Sequence, residues 1–411
     1  MKDASAPSRD AMSIDWLIIG GGIHGVHIAA RLLGETDINP EQIRIVDPGE
    51  RLLERWQTST ATTGMSHLRS PSVHHLGLNA ASLQRFAGKR KRRKTGLFAP
   101  PYDRPALALF NAHCEQIIEH FDLADLHLRA RARACAVECD SVRVALSTGE
   151  EILAQQVVLA MGASEQPEWP EWAHPDDARV HHVFEPSFDG WPSATETVVV
   201  FGGGISAAQV SLRLAAEGHQ VHLVSRHALR EHQFDSDPGW LGPKLMAGFN
   251  REPDVDRRRA MISEARHRGS VPPDVERALR RAIASEELLW HESEVLELAA
   301  DDTHRTMRLA SGAELKADRV LLATGFAARR PGGALVDQLA ASASLPCASC
   351  GYPIVDSALR WHPRVYVSGP LAELELGPSS RNIAGARRAA ERLVAAVRSC
   401  PDSGLRSAVI S

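Results

Sequence analysis

Two stretches of this 411-residue chain combine residue types that hold phosphate: WLIIGGGIHG at 16–25 and VVVFGGGISAA at 198–208. Each runs from apolar, strand-forming residues into closely spaced glycines, and each ends where helical spacing begins. In the first, Gly20 permits a tight turn, Gly22 lets the backbone approach a pyrophosphate, and Gly25 lets helix and strand pack closely. Gly202, Gly204 and Ala207 take the same three places in the second, with Ser206 beside them. A helix N-terminus then faces the phosphates with free N–H groups and the positive end of its dipole. The chemistry this spacing supports is the binding of two dinucleotides.

The end of the following strand separates the two copies. IRIVDP closes the first on Asp47, where an acid can hold a ribose hydroxyl. VHLVSR closes the second on Ser225 and Arg226. A carboxylate repels a 2′-phosphate, whereas a hydroxyl and a guanidinium bind one. The first copy therefore suits FAD and the second NADPH.

The repetition extends to the elements that must position these turns. VRVALSTGEEILAQQVVLAMG (142–162) and MRLASGAELKADRVLLATGF (307–326) each alternate as a hairpin and then enter a buried strand that ends on a small-residue turn. The expected fold is α/β, with two Rossmann-like dinucleotide-binding domains, each carrying an antiparallel hairpin excursion. Residues 1–165 form the first part of the FAD-binding domain and 166–195 a linker. Residues 196–330 form the NADPH-binding domain with a helical, charged insertion at 231–288, and 331–411 return to the FAD-binding domain. In that return, the helix beginning near Asn382 and Ile383 offers backbone donors that stabilise negative charge on the pyrimidine end of reduced flavin.

Composition narrows the function. Net charge is −4 and 24% of residues are charged, which gives no general pull toward nucleic acid or anionic lipid. The basic run KRKRRK (89–94) lacks interleaved aromatics and reads as a solvated loop. No window has the length of apolar sequence a membrane span needs, and MKDASAPSRDAM lacks a signal-peptide core, so a cytoplasmic protein is expected. Six cysteines form no disulfide framework. Cys347 and Cys350 make one CxxC pair without a second, and His67, His74 and His75 lack a completing ligand, so no metal site is expected.

On these motifs the chain resembles flavoproteins with two dinucleotide-binding domains. Among them it resembles the flavin-dependent N-hydroxylating monooxygenases of class B that act on lysine and ornithine. TGMSHLRSP (63–71) is similar to the segment that runs along the flavin in those enzymes and presents a lysine to the substrate. The resemblance implies that Met65, Ser66 and Leu68 line FAD and that Arg69 stands for the lysine, positioning substrate. The stretch from Gly162 through PEWPEW to VHHVF is similar to the motif linking the halves of class B enzymes, with His181 or His182 at its histidine position. Gly369 and Pro370 stand where related reductases often have Gly-Asp, so the acid is missing.

The implied reaction is NADPH-dependent hydroxylation of a nucleophilic nitrogen or sulfur of a small amino-acid-like substrate by dioxygen, through a flavin hydroperoxide. Two alternatives stand beside it: a flavin reductase of the disulfide or ferredoxin reductase type, and an RNA-associated flavoprotein using residues 89–94. A homo-oligomer is left open. The assignment of the halves has a direct test. Gly22→Val is expected to give colourless protein, because the pyrophosphate can no longer approach, and Gly204→Val yellow protein that NADPH does not reduce; absorbance spectra of the two variants check this, and the reverse pattern exchanges the halves.

Overall fold

The computed structural model describes residues 12–88, 96–186 and 188–399, so the basic run at 89–94 lies outside the described residues. The apolar runs that lead into the glycines become strands buried on both faces, as parallel strands in α/β proteins are. Met12–Ile19 lies between two parallel neighbours, with Ile18 opposite Ile45 of Ile43–Asp47 and Val158 of Glu151–Leu159. Along its main path the first sheet runs Arg360–His362, Val365–Val367, Glu151–Leu159, Met12–Ile19, Ile43–Asp47, His127–Arg129. Strands Ala132–Val137 and Val142–Leu146 join it as an antiparallel excursion through Glu151–Leu159. The return from the C-terminal region is thus the Val365–Val367 strand, laid parallel on Glu151–Leu159.

Alternation along Met12–Ile19 divides its core. Trp16 and Ile18 pack with Val26 and Leu32 of the Ile23–Glu35 helix and with Leu393 of the Ile383–Ser399 helix. Leu17 and Ile19 pack on the opposite face with Val157, Val336 and Trp361. Fully burying one such side chain contributes about 1.5–3 kcal/mol, so both faces hold the strand in register.

The second sheet repeats the plan. Its five strands run Leu289–Glu292, Gln220–Ser225, Thr197–Phe201, Arg319–Leu322, Val180–His182, all parallel. The excursion here is a separate antiparallel sheet of Val295–Ala300, Arg305–Leu309 and Glu314–Ala317. Asp318 breaks it from the core strand, and its carboxylate accepts the Thr197 amide at 2.8 Å. Val180–His182 falls in the stretch expected to be a linker, yet it is an edge strand of this sheet. Three residues are too few for period-two patterning to announce a strand.

The insertion is helical. Pro243–Arg251, Val255–Ala265 and Pro273–Ala284 are its helices, and Ser270–Val271 pairs with Arg230–Glu231 to close its neck. Trp240, Met246, Phe249 and Ile262 pack against Ala348, Tyr352 and Leu374 from the C-terminal return. Among the described residues no helix is long and apolar enough to cross a membrane.

A group of buried histidines sits in the first half. Burial is the main cause that pulls His24, His74, His75 and His113 down to about 4 and His27 to about 3. His27 Nδ1 is 2.8 Å from the Leu76 carbonyl oxygen, and its Nε2 has no partner. Because folding lowers these values below the unfolded value near 6.5, the unfolded chain takes up more protons at acid pH. Stability is then complete above about pH 6.5 and is lost as pH falls toward about 4. Each pH unit across that window costs on the order of 1.4 kcal/mol for a fully buried histidine. Thermal melts at pH 7.5 and 5.0 are expected to separate widely for the native chain and less for His27→Leu; equal separation would remove His27 from the effect.

Candidate functional site

In the first turn, three glycines meet three different requirements. Gly20 has φ +116°, and a Cβ there would lie 2.7 Å from the Ala160 carbonyl oxygen. A Cβ on Gly25 would lie 1.8 Å from the Gly20 carbonyl oxygen, so only glycine lets the helix start this close to the strand. Around Gly22 nothing lies within 4 Å of a Cβ position, and this open face at the helix N-terminus fits a pyrophosphate. Asp47, ending its strand, accepts the Gly21 amide at 2.7 Å and the Gly49 amide at 2.9 Å. A carboxylate has acceptor capacity beyond two bonds, which leaves room for a ribose hydroxyl. His24 is buried one residue before Gly25, with Nδ1 2.8 Å from the Ser368 hydroxyl and an unpartnered Nε2. These groups fit FAD.

The second turn has the same construction. A Cβ on Gly202 (φ +153°) would lie 2.5 Å from the Ala323 carbonyl oxygen. Gly204 caps the Ile205–Ala216 helix, with the nearest atom to a Cβ there being Gly269 Cα at 3.6 Å. Ala207 is fully buried and Ser206 half-buried in the first turn of that helix. This too fits a dinucleotide. The strand end departs from the expectation for Ser225. Its side chain is 1% exposed, its hydroxyl donates to the His227 carbonyl at 2.9 Å, and it accepts the Trp290 indole N–H at 2.9 Å. The hydroxyl is spent on the fold, because Ser225 points into the sheet while Arg226 points out. Arg226 is exposed and makes no hydrogen bond or ion pair among the described residues. Sequence reasoning passed over His227, whose ring carbon Cε1 lies 2.7 Å from a Cβ position on Gly203. Its only signal was adjacency to the Ser-Arg strand end.

The 63–71 segment joins the halves. Its backbone is paired with residues 105–107: the Leu107 amide donates to the Ser66 carbonyl and the Leu68 amide to the Pro105 carbonyl, both at 2.9 Å. Ser66 is exposed and lines a cleft of about 280 Å³ with Gln209, Arg213 and Asp274, residues of the second half. Met65 is half-buried against the first core, and Leu68, 2% exposed, lies within that core. Arg69 reaches the insertion: Nε donates to the Gln233 carbonyl at 2.8 Å, and Nη2 to the His232 carbonyl at 2.6 Å and the Ser270 hydroxyl at 2.9 Å. Burial lowers its pKa below the usual guanidinium value. The geometry makes Arg69 an anchor between the 63–71 segment and the insertion.

A second anchor closes the other side. Glu373 is fully buried, and Arg381 meets its carboxylate through Nε at 2.7 Å and Nη2 at 3.0 Å. Arg259 and Arg266 of the insertion reach the same carboxylate, Arg266 at 3.6 Å. Burial, with Arg381 next, pulls Arg266 down to about 10. The residue after Arg381 is Asn382, whose side chain accepts the Gly385 amide at 3.0 Å and so caps the Ile383–Ser399 helix. Ile383 is 5% exposed and packs in the first core. His182 is buried, with Nε2 2.9 Å from the Thr324 hydroxyl of the second small-residue turn.

Cys347 and Cys350 flank a tight turn whose Ser349 hydroxyl donates to Asp256 of the insertion at 2.5 Å. Burial raises the Cys347 thiol. Among the described residues no group of three His, Cys, Asp or Glu side chains is placed to hold a metal.

Residues 17–257, more than half of the chain, match the family described as pyridine nucleotide-disulphide oxidoreductase. The chain belongs to that family. Comparison of this oxidoreductase with curated protein sequences gives no match. Among solved structures it is similar to an ornithine N-hydroxylase from Kutzneria sp. 744, solved with reduced FAD, NADP⁺ and L-ornithine. The two are 18% identical with a TM-score of 0.77, over 95% of this chain and 100% of that one. It is similar to an ornithine hydroxylase from Pseudomonas aeruginosa, at 17% identity and TM-score 0.73 over 94% and 99% of the chains. It is also similar to a bacillithiol disulfide reductase from Bacillus cereus, at 16% identity and TM-score 0.63 over 94% and 99%. At these identities the likeness establishes the α/β, two-Rossmann fold.

The strand end of the second turn generates a coenzyme test. Arg226→Ala is expected to remove roughly 1–3 kcal/mol of preference for NADPH over NADH, the scale of a charge-assisted hydrogen bond. Ser225→Ala is expected to leave the preference alone and to lower the melting temperature, because the Trp290 N–H loses its acceptor. Coenzyme dissociation constants and melts of the two variants check both halves of the statement.

Proposed function

We propose that this oxidoreductase is an FAD-dependent, NADPH-consuming monooxygenase that hydroxylates a nucleophilic nitrogen, or a sulfur, of a small substrate. The observation that carries the reading is the anchored insertion. Arg69 ties it to the 63–71 segment, and Glu373 ties it to the residues that precede the Asn382 cap. A monooxygenase must keep bulk water from the oxygen chemistry, and an insertion held at both Arg69 and Glu373 would serve that need.

FAD, when bound, supplies acceptance of hydride from NADPH and activation of dioxygen. The chain supplies placement. The open face at Gly22 and the carboxylate of Asp47 would hold FAD, while Gly204, Ser206 and Arg226 would hold NADPH. The capped helix start at Asn382 and Ile383 would offer backbone donors to negative charge on the flavin. Overall, NADPH, a proton, dioxygen and the substrate yield NADP⁺, water and the hydroxylated product.

The disulfide reductase reading needs a reactive thiol beside the flavin. Here the CxxC turn packs against the insertion through Ser349 and Asp256, and Cys347 titrates above the ordinary thiol value, which weakens it as a nucleophile at neutral pH.

Turnover under ¹⁸O₂ tests the proposal: one labelled oxygen is expected in the product, and NADPH oxidation without labelled product overturns it in favour of a reductase. Arg69 gives a second measurement. Arg69→Ala is expected to leave NADPH oxidation near normal while product per NADPH falls about tenfold and hydrogen peroxide rises, the effect of a loosened cover. Arg69→Lys is expected to stay uncoupled, because an ammonium cannot reproduce the guanidinium fork across three acceptors. Restored coupling in Arg69→Lys would instead support a point-charge contact with a substrate carboxylate.

A further inference from the structure

The internal repeat of this chain shows which side chain stands at the ribose place of the second turn. In the first turn the middle glycine, Gly21, packs on Asp47: a Cβ there would lie 2.9 Å from Asp47 Cβ, and the Gly21 amide donates to the carboxylate at 2.7 Å. The equivalent glycine of the second turn is Gly203, and the side chain packed on it is His227. A Cβ on Gly203 would lie 2.7 Å from Cε1 and 2.9 Å from Nε2 of that ring. Asp47 closes the Ile43–Asp47 strand, whereas His227 comes two residues after Ser225, the end of Gln220–Ser225. With Ser225 turned into the sheet, the chain fills the equivalent place two residues later.

The insertion supplies the other wall. Gly269 has φ +67°, and a Cβ there would lie 2.5 Å from His227 Nε2 and 2.8 Å from Cε1. The ring therefore fits between two glycines, one in the turn and one in the insertion, and Gly269 Cα is also the atom nearest to a Cβ position on Gly204. These distances put residues 267–269 at the mouth of the second turn. His227 Nδ1 lies 2.8 Å from the Ala228 carbonyl oxygen, which can only accept, so Nδ1 carries a hydrogen. Nε2 of this half-buried residue has no hydrogen-bond partner among the described residues. The elements packed around the ring bring Arg226, Arg230 and Glu231 on its own side and His267 and Arg268 on the insertion side; the glycine turn brings no charged side chain. Arg230 Nη1 donates to the Arg268 carbonyl at 3.5 Å, which holds that guanidinium beside Gly269.

We propose that His227 is the residue that selects the 2′-phosphate of NADPH, with Arg230 as a second donor and the insertion loop 267–269 as one wall of the site. This rests on the NADPH part of the proposed function and is independent of the oxygen chemistry. With Nδ1 committed to Ala228, Nε2 is the ring atom left for a ligand. It donates to a phosphate oxygen once it has taken a proton from solvent, and the dianionic phosphate balances that charge beside Arg230. Before the phosphate arrives, the surrounding guanidinium groups oppose a protonated ring, so the proton enters with the ligand. A 2′-hydroxyl brings no charge and draws no proton.

Calorimetric titration of the FAD holoenzyme with adenosine 2′,5′-bisphosphate and adenosine 5′-monophosphate, at pH 7.5 in two buffers of different ionisation enthalpy, tests the assignment. The native protein is expected to bind the bisphosphate at least about tenfold more tightly, the scale of one hydrogen bond to a charged group, and to take up protons with the bisphosphate alone. His227→Phe keeps a ring between the two glycines and removes Nε2. It is expected to lose about tenfold in bisphosphate affinity together with the proton uptake, and to bind the monophosphate as before. His227→Asn, smaller than the native ring, is expected to do the same and serves where the phenylalanine does not fit. Arg230→Ala is expected to weaken the bisphosphate about tenfold and to keep the proton uptake. Retained flavin colour and melting temperature identify folded variants. Unchanged bisphosphate affinity and proton uptake in folded His227 variants, or equal weakening of both nucleotides, overturns the assignment even when ¹⁸O-labelled product forms. Selectivity that depends on His227 without labelled product would leave the assignment standing and remove the monooxygenase.

Discussion

A carbonyl oxygen occupies the place of a side chain in each half of this protein. The Ala160 oxygen stands 2.7 Å from where Gly20 would carry a Cβ, and the Ala323 oxygen stands 2.5 Å from the same position on Gly202. The hydrogen bonds around the two turns repeat as well. Gly20 donates to Val46 and Ala160 to Ile19; Gly202 donates to Val224 and Ala323 to Phe201, all between 2.8 and 3.0 Å. Three adjacent parallel strands therefore end at one level, and the chain can leave the middle one only through a glycine at positive φ. The helix that follows must begin directly over the strand ends, where its free N–H groups face the crevice that dinucleotides use.

What joins the halves is a different kind of contact. Guanidinium groups cross between them and bond backbone carbonyl oxygens. Arg55 bonds the carbonyls of Ser164, Phe184 and Glu185. Arg213 of the second half bonds those of Ala61 and Thr62. Arg69 and the arginines at Glu373 do the same for the insertion. A planar fork satisfies several acceptors at fixed angles, so these contacts set orientation as well as distance. Glu373 shows the energetic logic most clearly. A fully buried carboxylate left without partners would cost several kcal/mol, and two of its three arginines come from the insertion. Undocking the insertion would leave that carboxylate with Arg381 alone, and this holds the insertion in place.

Much of the fold was legible because its constraints act on backbone and leave few residue choices. The glycines at 20, 22 and 25, the acid at Asp47 and the paired hairpins all follow from local sequence. Three features were not legible, each for a physical reason. Val180–His182 is an edge strand too short for its periodicity to register. Ser225 and Arg226 look equivalent in a sequence, but strand alternation sends one into the sheet toward Trp290 and the other to solvent. Arg69 was expected from the resemblance to position substrate, yet its acceptors lie more than 160 residues away in the insertion, where no local pattern points.

The fold itself is held by constraints of another kind. At 16–18% identity the relatives share nearly the whole length of this chain, since strand level, glycine turn and helix start depend on backbone geometry that few substitutions can alter. The region between the halves is under no such constraint. There Arg69 spends Nε and Nη2 on His232, Gln233 and Ser270 of the inserted loop. The placement of the insertion therefore depends on which acceptors the Arg69 donors take, while the two glycine turns depend on backbone geometry alone.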